Sequence, residues 1–112
     1  MRKAFICPTK YVQGEGELLN LGYFIKTFGE SALLIAHPED VSRVKSQLMQ
    51  TTERFQITLV ESGFSGECSK EEVERLKKLA EEKQCTCTIG LGGGKAIDTA
   101  KCVAEGKNLI VV

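Results

Sequence analysis

The stretch Cys85-Thr86-Cys87-Thr88-Ile89-Gly90-Leu91-Gly92-Gly93-Gly94-Lys95-Ala96-Ile97-Asp98 sets the architecture of this chain. Cys85 to Ile89 is β-prone, Gly94 opens a helical pattern that runs to Ala104, and glycines fill the turn between them. Three consecutive glycines remove every Cβ from the turn, so backbone N–H groups can approach a bulky anion closely. The helix N-terminus adds the positive end of its dipole, and Lys95 adds a full charge. Gly92, Gly93, Gly94 and Lys95 are therefore expected to hold a phosphate or pyrophosphate. Asp98, one turn in, is placed to accept from a hydroxyl, amide or water at the same mouth. The competing reading is a tight strand-to-helix turn with no ligand, in which three glycines would cost backbone entropy without packing in return.

Two better-known glycine motifs do not fit. A P-loop needs glycine where Ile89 stands, and Ala96 replaces the Ser/Thr that would hold magnesium. The dinucleotide fingerprint G-x-G-x-x-G counted from Gly90 meets Lys95 at its third glycine.

The rest of the chain repeats the same strand–turn–helix grammar. Lys10 to Gln13 reads as a short strand, and Leu18, Leu21, Ile25 and Phe28 as the stripe of a helix stopped by Gly29. Ser31 to Ala36 is a continuous apolar run, expected as a strand buried on both faces. Pro38 opens the next helix, with Val41, Val44 and Leu48 as its inner stripe, and Phe55 to Val60 reads as the second core strand. After the loop Ser62 to Gly66, Ser69-Lys70-Glu71-Glu72 forms a capping box. The helix it opens turns Val73, Leu76 and Ala80 inward, and Glu71–Arg75 and Glu74–Lys78 pair on a solvated face. Asn108 to Val112 is a last strand. Alternating strands and helices with short loops predict an α/β fold, a Rossmann-like parallel sheet with helices on both faces. The final apolar strand would want cover on both sides, which predicts a truncated chain or an assembly, such as a homo-oligomer, that supplies it.

Composition narrows the function. The chain has 112 residues, room for one domain, and its 15 Lys+Arg balance 15 Asp+Glu. Zero net charge argues against nucleic acid or an anionic membrane as partner through bulk charge. The apolar runs are strand-sized and no signal-peptide core follows Met1-Arg2-Lys3, so a soluble, cytoplasmic protein is expected. Five cysteines (Cys7, Cys68, Cys85, Cys87 and Cys102) are irregularly spaced, and the one histidine, His37, is remote from them in sequence. They read as free thiols in a reducing compartment, with Cys85 and Cys87 on one face of a strand.

Gly92-Gly93-Gly94-Lys95-Ala96-Ile97-Asp98-Thr99-Ala100-Lys101 resembles the G-G-G-K-x-x-D-T-A-K signature of glycerol dehydrogenases, in the iron-containing (group III) alcohol dehydrogenase superfamily. Pro8-Thr9-Lys10-Tyr11-Val12-Gln13-Gly14 resembles that family's P-x-K-Y-x-Q-G. Phe64-Ser65-Gly66-Glu67-Cys68-Ser69 resembles its F-x-G-E-x-S, with Glu72-Val73-Glu74-Arg75-Leu76 following in register. The resemblance spans nearly the whole chain. It implies an amino-terminal Rossmann-like domain, residues 1–112, that binds NAD and stops before a helical metal-binding domain. Gly93, Gly94 and Lys95 would line the pyrophosphate, and Asp98 would sit beside the ribose–nicotinamide end. His37 stands where the family usually places an aspartate for the adenosine ribose; a residue at a helix start near solvent is the other reading. A zinc or iron held by one Asp and two His belongs to the full-length enzyme, and one histidine cannot supply it here. The complete enzyme would oxidise glycerol, its polyol substrate, to dihydroxyacetone, and the isolated chain is expected to be inactive. The alternatives are a non-catalytic nucleotide- or phosphate-binding module, and a superfamily relative acting on another polyol or a phosphorylated one.

Overall fold

Ser31-Ala32-Leu33-Leu34-Ile35 carries apolar side chains on both sides of its pleat, which a sheet accepts only when both faces are covered. A computed structural model describes residues 9–12, 16–105 and 107–112, and it covers this strand on both sides. Ala32 and Leu34 pack on one side with Leu21, Ile25 and Leu48, while Leu33 and Ile35 pack on the other with Leu76, Ala96, Ala100 and Val103.

In chain order the elements are β1 (Thr9–Tyr11), a 3-10 turn (Glu17–Asn20), α1 (Leu21–Lys26), β2 (Ser31–Ile35), α2 (Pro38–Arg43) and α3 (Lys45–Phe55). There follow β3 (Thr58–Glu61), α4 (Lys70–Glu82), β4 (Cys87–Gly90), α5 (Gly94–Ala104) and β5 (Leu109–Val111). The five strands form one parallel sheet in the order β1-β5-β4-β2-β3. Helices α1 and α3 cover one face and α4 and α5 the other, giving the α/β, Rossmann-like arrangement that the strand–helix alternation predicts. Among the described residues no helix is long and apolar enough to cross a membrane.

Four local expectations are corrected. The first helical stripe begins as a 3-10 turn and becomes α-helical only at Leu21. The stripe of Val41, Val44 and Leu48 is split between two helices, because Val44 (φ −112°, ψ 16°) leaves the helical region. Phe55 belongs to α3 and not to a strand. Its ring lies against Gly22, where a Cβ would come within 2.6 Å of Phe55 Cδ2, so packing of α1 on α3 overrides the local β preference. The chain then turns at Gln56 in the left-handed region (φ 54°) and enters β3, which among the described residues pairs with β2 alone. β3 is thus an edge strand, exposed at both ends, and not a second core strand. Finally, Cys85 precedes β4, so it packs with the α4–α5 side while Cys87 packs on the α1–α3 side. Pro8, Gln13, Gly14 and Cys7, on which part of the opening motif and the thiol count rest, lie outside the described residues.

Candidate functional site

Strand order fixes where a ligand crevice can open. From β2 the chain moves outward to β3; from β4, the neighbour of β2 on its other side, it moves to β5 in the opposite direction. The two connections leave on opposite faces, so the carboxyl ends of β2 and β4 part and a crevice opens between them. His37 and the first turn of α2 follow β2, and the glycine turn follows β4.

The turn is tied into the sheet on both flanks. Leu91 N–H donates to the Ile35 carbonyl (3.1 Å), Gly92 N–H to the Val112 carbonyl (3.4 Å), and Val112 N–H to the Gly90 carbonyl (2.9 Å). Its glycines then separate by cause. A Cβ on Gly90 would meet Ala100 Cβ at 2.9 Å and Ile97 Cα at 3.1 Å, so this glycine lets α5 close on β4. Gly92 has φ 98°, in the left-handed region, and a Cβ there would come 2.5 Å from Asp40 Oδ2. Gly93 and Gly94 have neither reason, since both lie outside the left-handed region and a Cβ on either would touch nothing within 4 Å among the described residues. Gly93 is also the N-cap of α5, with no side chain capping it. No side chain among the described residues caps the first N–H groups of this 11-residue helix at its positive end.

Of the expected site residues, Gly92, Gly93, Gly94 and Lys95 come together at this mouth. Lys95 is exposed, and its Nζ donates to Glu67 Oε2 at 2.9 Å; both partners are well solvated, so the pair opens at little cost. His37 stands at the N-cap of α2 across the crevice, its ring edge-to-face with Phe64 (centroids 5.2 Å apart) and near Gly66. Asp98 is exposed on α5 and lies beside Cys102, on the face turned toward Cys68.

One residue at the crevice escaped the sequence. Asp40, in the first turn of α2, is largely buried, pairs with Arg43 Nη1 at 2.7 Å and sets its carboxylate against the Gly92 backbone. In sequence it shows only as an acid in a helix's first turn, a common feature that signals nothing about a partner 52 positions away.

The loop that carries Phe64 and Glu67 is held by a carboxylate–guanidinium clamp. Ser69 Oγ caps α4 by accepting from Glu72 N–H (3.1 Å), as the capping box predicts. The reciprocal half is replaced: the buried Glu72 carboxylate accepts from Ser65 N–H (2.9 Å) and from Arg75 Nε and Nη2 (2.8 and 2.7 Å). Arg75 also donates to the Ser62 and Gly63 carbonyls. These bonds, with Arg75 foremost and burial opposing, lower the Glu72 carboxyl to about 2. The expected i,i+4 pairs are thus corrected, since Arg75 turns to Glu72 and the loop, while Glu74 meets Lys77 (4.0 Å), which also reaches Glu105 at the C-cap of α5 at 2.8 Å.

A cleft of about 430 Å³ opens at the opposite end of the sheet, between α4 and α5. It is lined by residues such as Lys77, Cys85 and Asn108 and has no glycine turn or helix N-terminus. Among the described residues no three His, Cys, Asp or Glu side chains gather as a metal site.

The family model described as iron-containing alcohol dehydrogenase matches residues 8–109. The chain is 38% identical over 104 residues to a glycerol dehydrogenase of Pseudomonas putida, covering 93% of this chain and 28% of that protein. It is 33% identical over 105 residues to a glycolaldehyde reductase of Halobacterium salinarum, covering 94% of this chain and 29% of that one. The crystal structure of glycerol dehydrogenase from Schizosaccharomyces pombe superposes with a TM-score of 0.75 at 29% identity, over 96% of this chain and 28% of that one. The chain therefore spans less than a third of the length of these relatives.

Proposed function

The chain belongs to the iron-containing alcohol dehydrogenase family, and from that premise we propose that it is the NAD-binding portion of a glycerol-dehydrogenase-like oxidoreductase. The observation that carries this reading is the pair Gly93 and Gly94: neither packing nor φ requires glycine there, yet both sit at an uncapped helix N-terminus in the crevice between β2 and β4. A dinucleotide pyrophosphate is a guest that needs such bare backbone.

In this reading the first N–H groups of α5 bind the pyrophosphate, and Lys95 leaves Glu67 to add its charge. Asp98 stands toward the ribose–nicotinamide end. His37 and, closer to the glycine turn, Asp40 face the adenosine ribose, the carboxylate as an acceptor for its hydroxyls. Bound NAD would supply the hydride acceptor; the residues of this chain bind and orient it. The described residues do not assemble a donor set for zinc or iron, so no step is assigned to a metal here. Residues 1–112 would form the amino-terminal nucleotide-binding domain, with metal and polyol chemistry carried by the lengths of the relatives that this chain does not match. The complete enzyme would turn glycerol and NAD into dihydroxyacetone and NADH, and the 112-residue chain alone would be inactive. The likeness to a glycolaldehyde reductase favours, as a second reading, another small polyol or hydroxyaldehyde at the same site.

Calorimetric titration of the chain with NAD, beside Gly94→Val, tests the cofactor assignment. We expect binding by the parent and at least tenfold weaker binding by the variant, whose circular dichroism stays unchanged because the new side chain enters open space. No binding by the parent, or equal binding by both, would overturn it.

A further inference from the structure

Lys95 does not stand alone at the glycine turn. Its Nζ donates at 2.9 Å to Glu67 Oε2, which comes from the connection between β3 and α4, 28 positions earlier. Arg43, another cation at the crevice, is held by Asp40 at 2.7 Å. A carboxylate thus stands beside each of these cations before any anion arrives.

The connection that delivers Glu67 crosses the crevice. Phe64 is buried among the residues of the α4–α5 side and meets the ring of His37, which follows β2, at 5.2 Å between centroids. Gly66 passes beside the same ring, and Glu67 then meets Lys95, which follows β4. The backbone is pinned on both sides of Glu67: Ser65 N–H donates to the Glu72 carboxylate at 2.9 Å, and Ser69 Oγ caps α4. Among the described residues the Glu67 carboxylate bonds Lys95 and nothing else, so its placement answers to the mouth and not to the core.

We propose that Glu67 is a specificity-determining residue, a fixed negative charge that favours a doubly esterified pyrophosphate over one ending in a free phosphate. The inference rests on the reading of the glycine turn as a dinucleotide site and adds what that site rejects. In a dinucleotide each phosphorus carries a sugar ester and one negative charge. A nucleoside diphosphate ends in an unesterified phosphate, whose second ionisation near about pH 6 adds a further charge at neutral pH. Lys95 and the α5 N-terminus by themselves reward every added negative charge. The loop keeps Glu67 close when Lys95 turns to the ligand, and its repulsion cancels that reward. Esterification then decides between ligands, where charge alone would have favoured the terminal phosphate. Both side chains are exposed, so water and salt screen the effect to a few-fold per charge.

The test is calorimetric titration of the 112-residue chain and of Glu67→Gln with ADP-ribose and with ADP. The probes share the adenosine diphosphate, and only ADP carries the free terminal phosphate. We expect Glu67→Gln to bind both more tightly and to gain about threefold more for ADP than for ADP-ribose at low salt. That difference should vanish at about 1 M salt, where charges are screened within a few ångströms. Glu67→Asp keeps the charge and should keep the parent's preference, and circular dichroism should be unchanged in both variants. An equal gain for both probes, weaker ADP-ribose binding by Glu67→Gln, or a difference that persists at high salt would overturn the proposal and leave the dinucleotide reading standing. Failure of the parent and the variants to bind either ADP-ribose or NAD would overturn both together.

Discussion

The glycines from Gly90 to Gly94 answer three different physical demands. Gly90 is set by the approach of α5, so Gly90→Ala forces Ala100 and the Ile97 backbone to shift. Overpacking of this kind should cost about 1–3 kcal/mol, read as a lower urea midpoint at constant slope. Gly93 faces open space, so Gly93→Ala should leave stability unchanged or raise it by about 0.5 kcal/mol through the unfolded state, while weakening NAD in calorimetry. A stability loss at Gly93 matching that at Gly90 would show that glycine is needed there for the fold and not for a ligand. The motif itself was plain in the sequence, because glycine, charge and turn are adjacent in the chain. The division of its glycines was not, since Asp40 and Ala100 reach them only through the folded sheet.

Among the elements, the β3–α4 connection depends most on ionisation. Glu72 titrates near 2 in the folded chain, against an ordinary value of 4.5, because Arg75 and the Ser65 amide bind its charged form. A lowered folded value means the added stability is fully present above pH 4.5 and is lost as pH falls from there toward 2. Glu72→Gln should cost about 1–3 kcal/mol at pH 7. The gap between parent and variant should narrow when urea melts are repeated near pH 3. A gap independent of pH would remove ionisation from the explanation. Ser69 as cap was legible, because an N-cap bond spans three residues. The fate of Glu72 was not, as Arg75 and a loop amide outbid the local reciprocal bond.

For the whole molecule, the strand order β1-β5-β4-β2-β3 puts β2 and β4 between paired neighbours and leaves β1 and β3 at the edges. Hydrogen exchange should therefore be slowest at the amides of Leu33, Leu34 and Ile89 and fastest, among strand amides, in β3 and β1. Protection of β3 equal to that of β2 would mean that something covers this edge in solution. The sequence by itself determined the parallel α/β class, the helix α5 and the position of the glycine turn, because periodicity, apolar runs and capping act over a few adjacent residues. Tertiary packing was needed to settle that Phe55 stays helical, that β3 is an edge, that Asp40 meets Gly92 and that Arg75 claims Glu72. Each of these depends on surfaces brought together from distant parts of the chain, where packing and charge outweigh local preference.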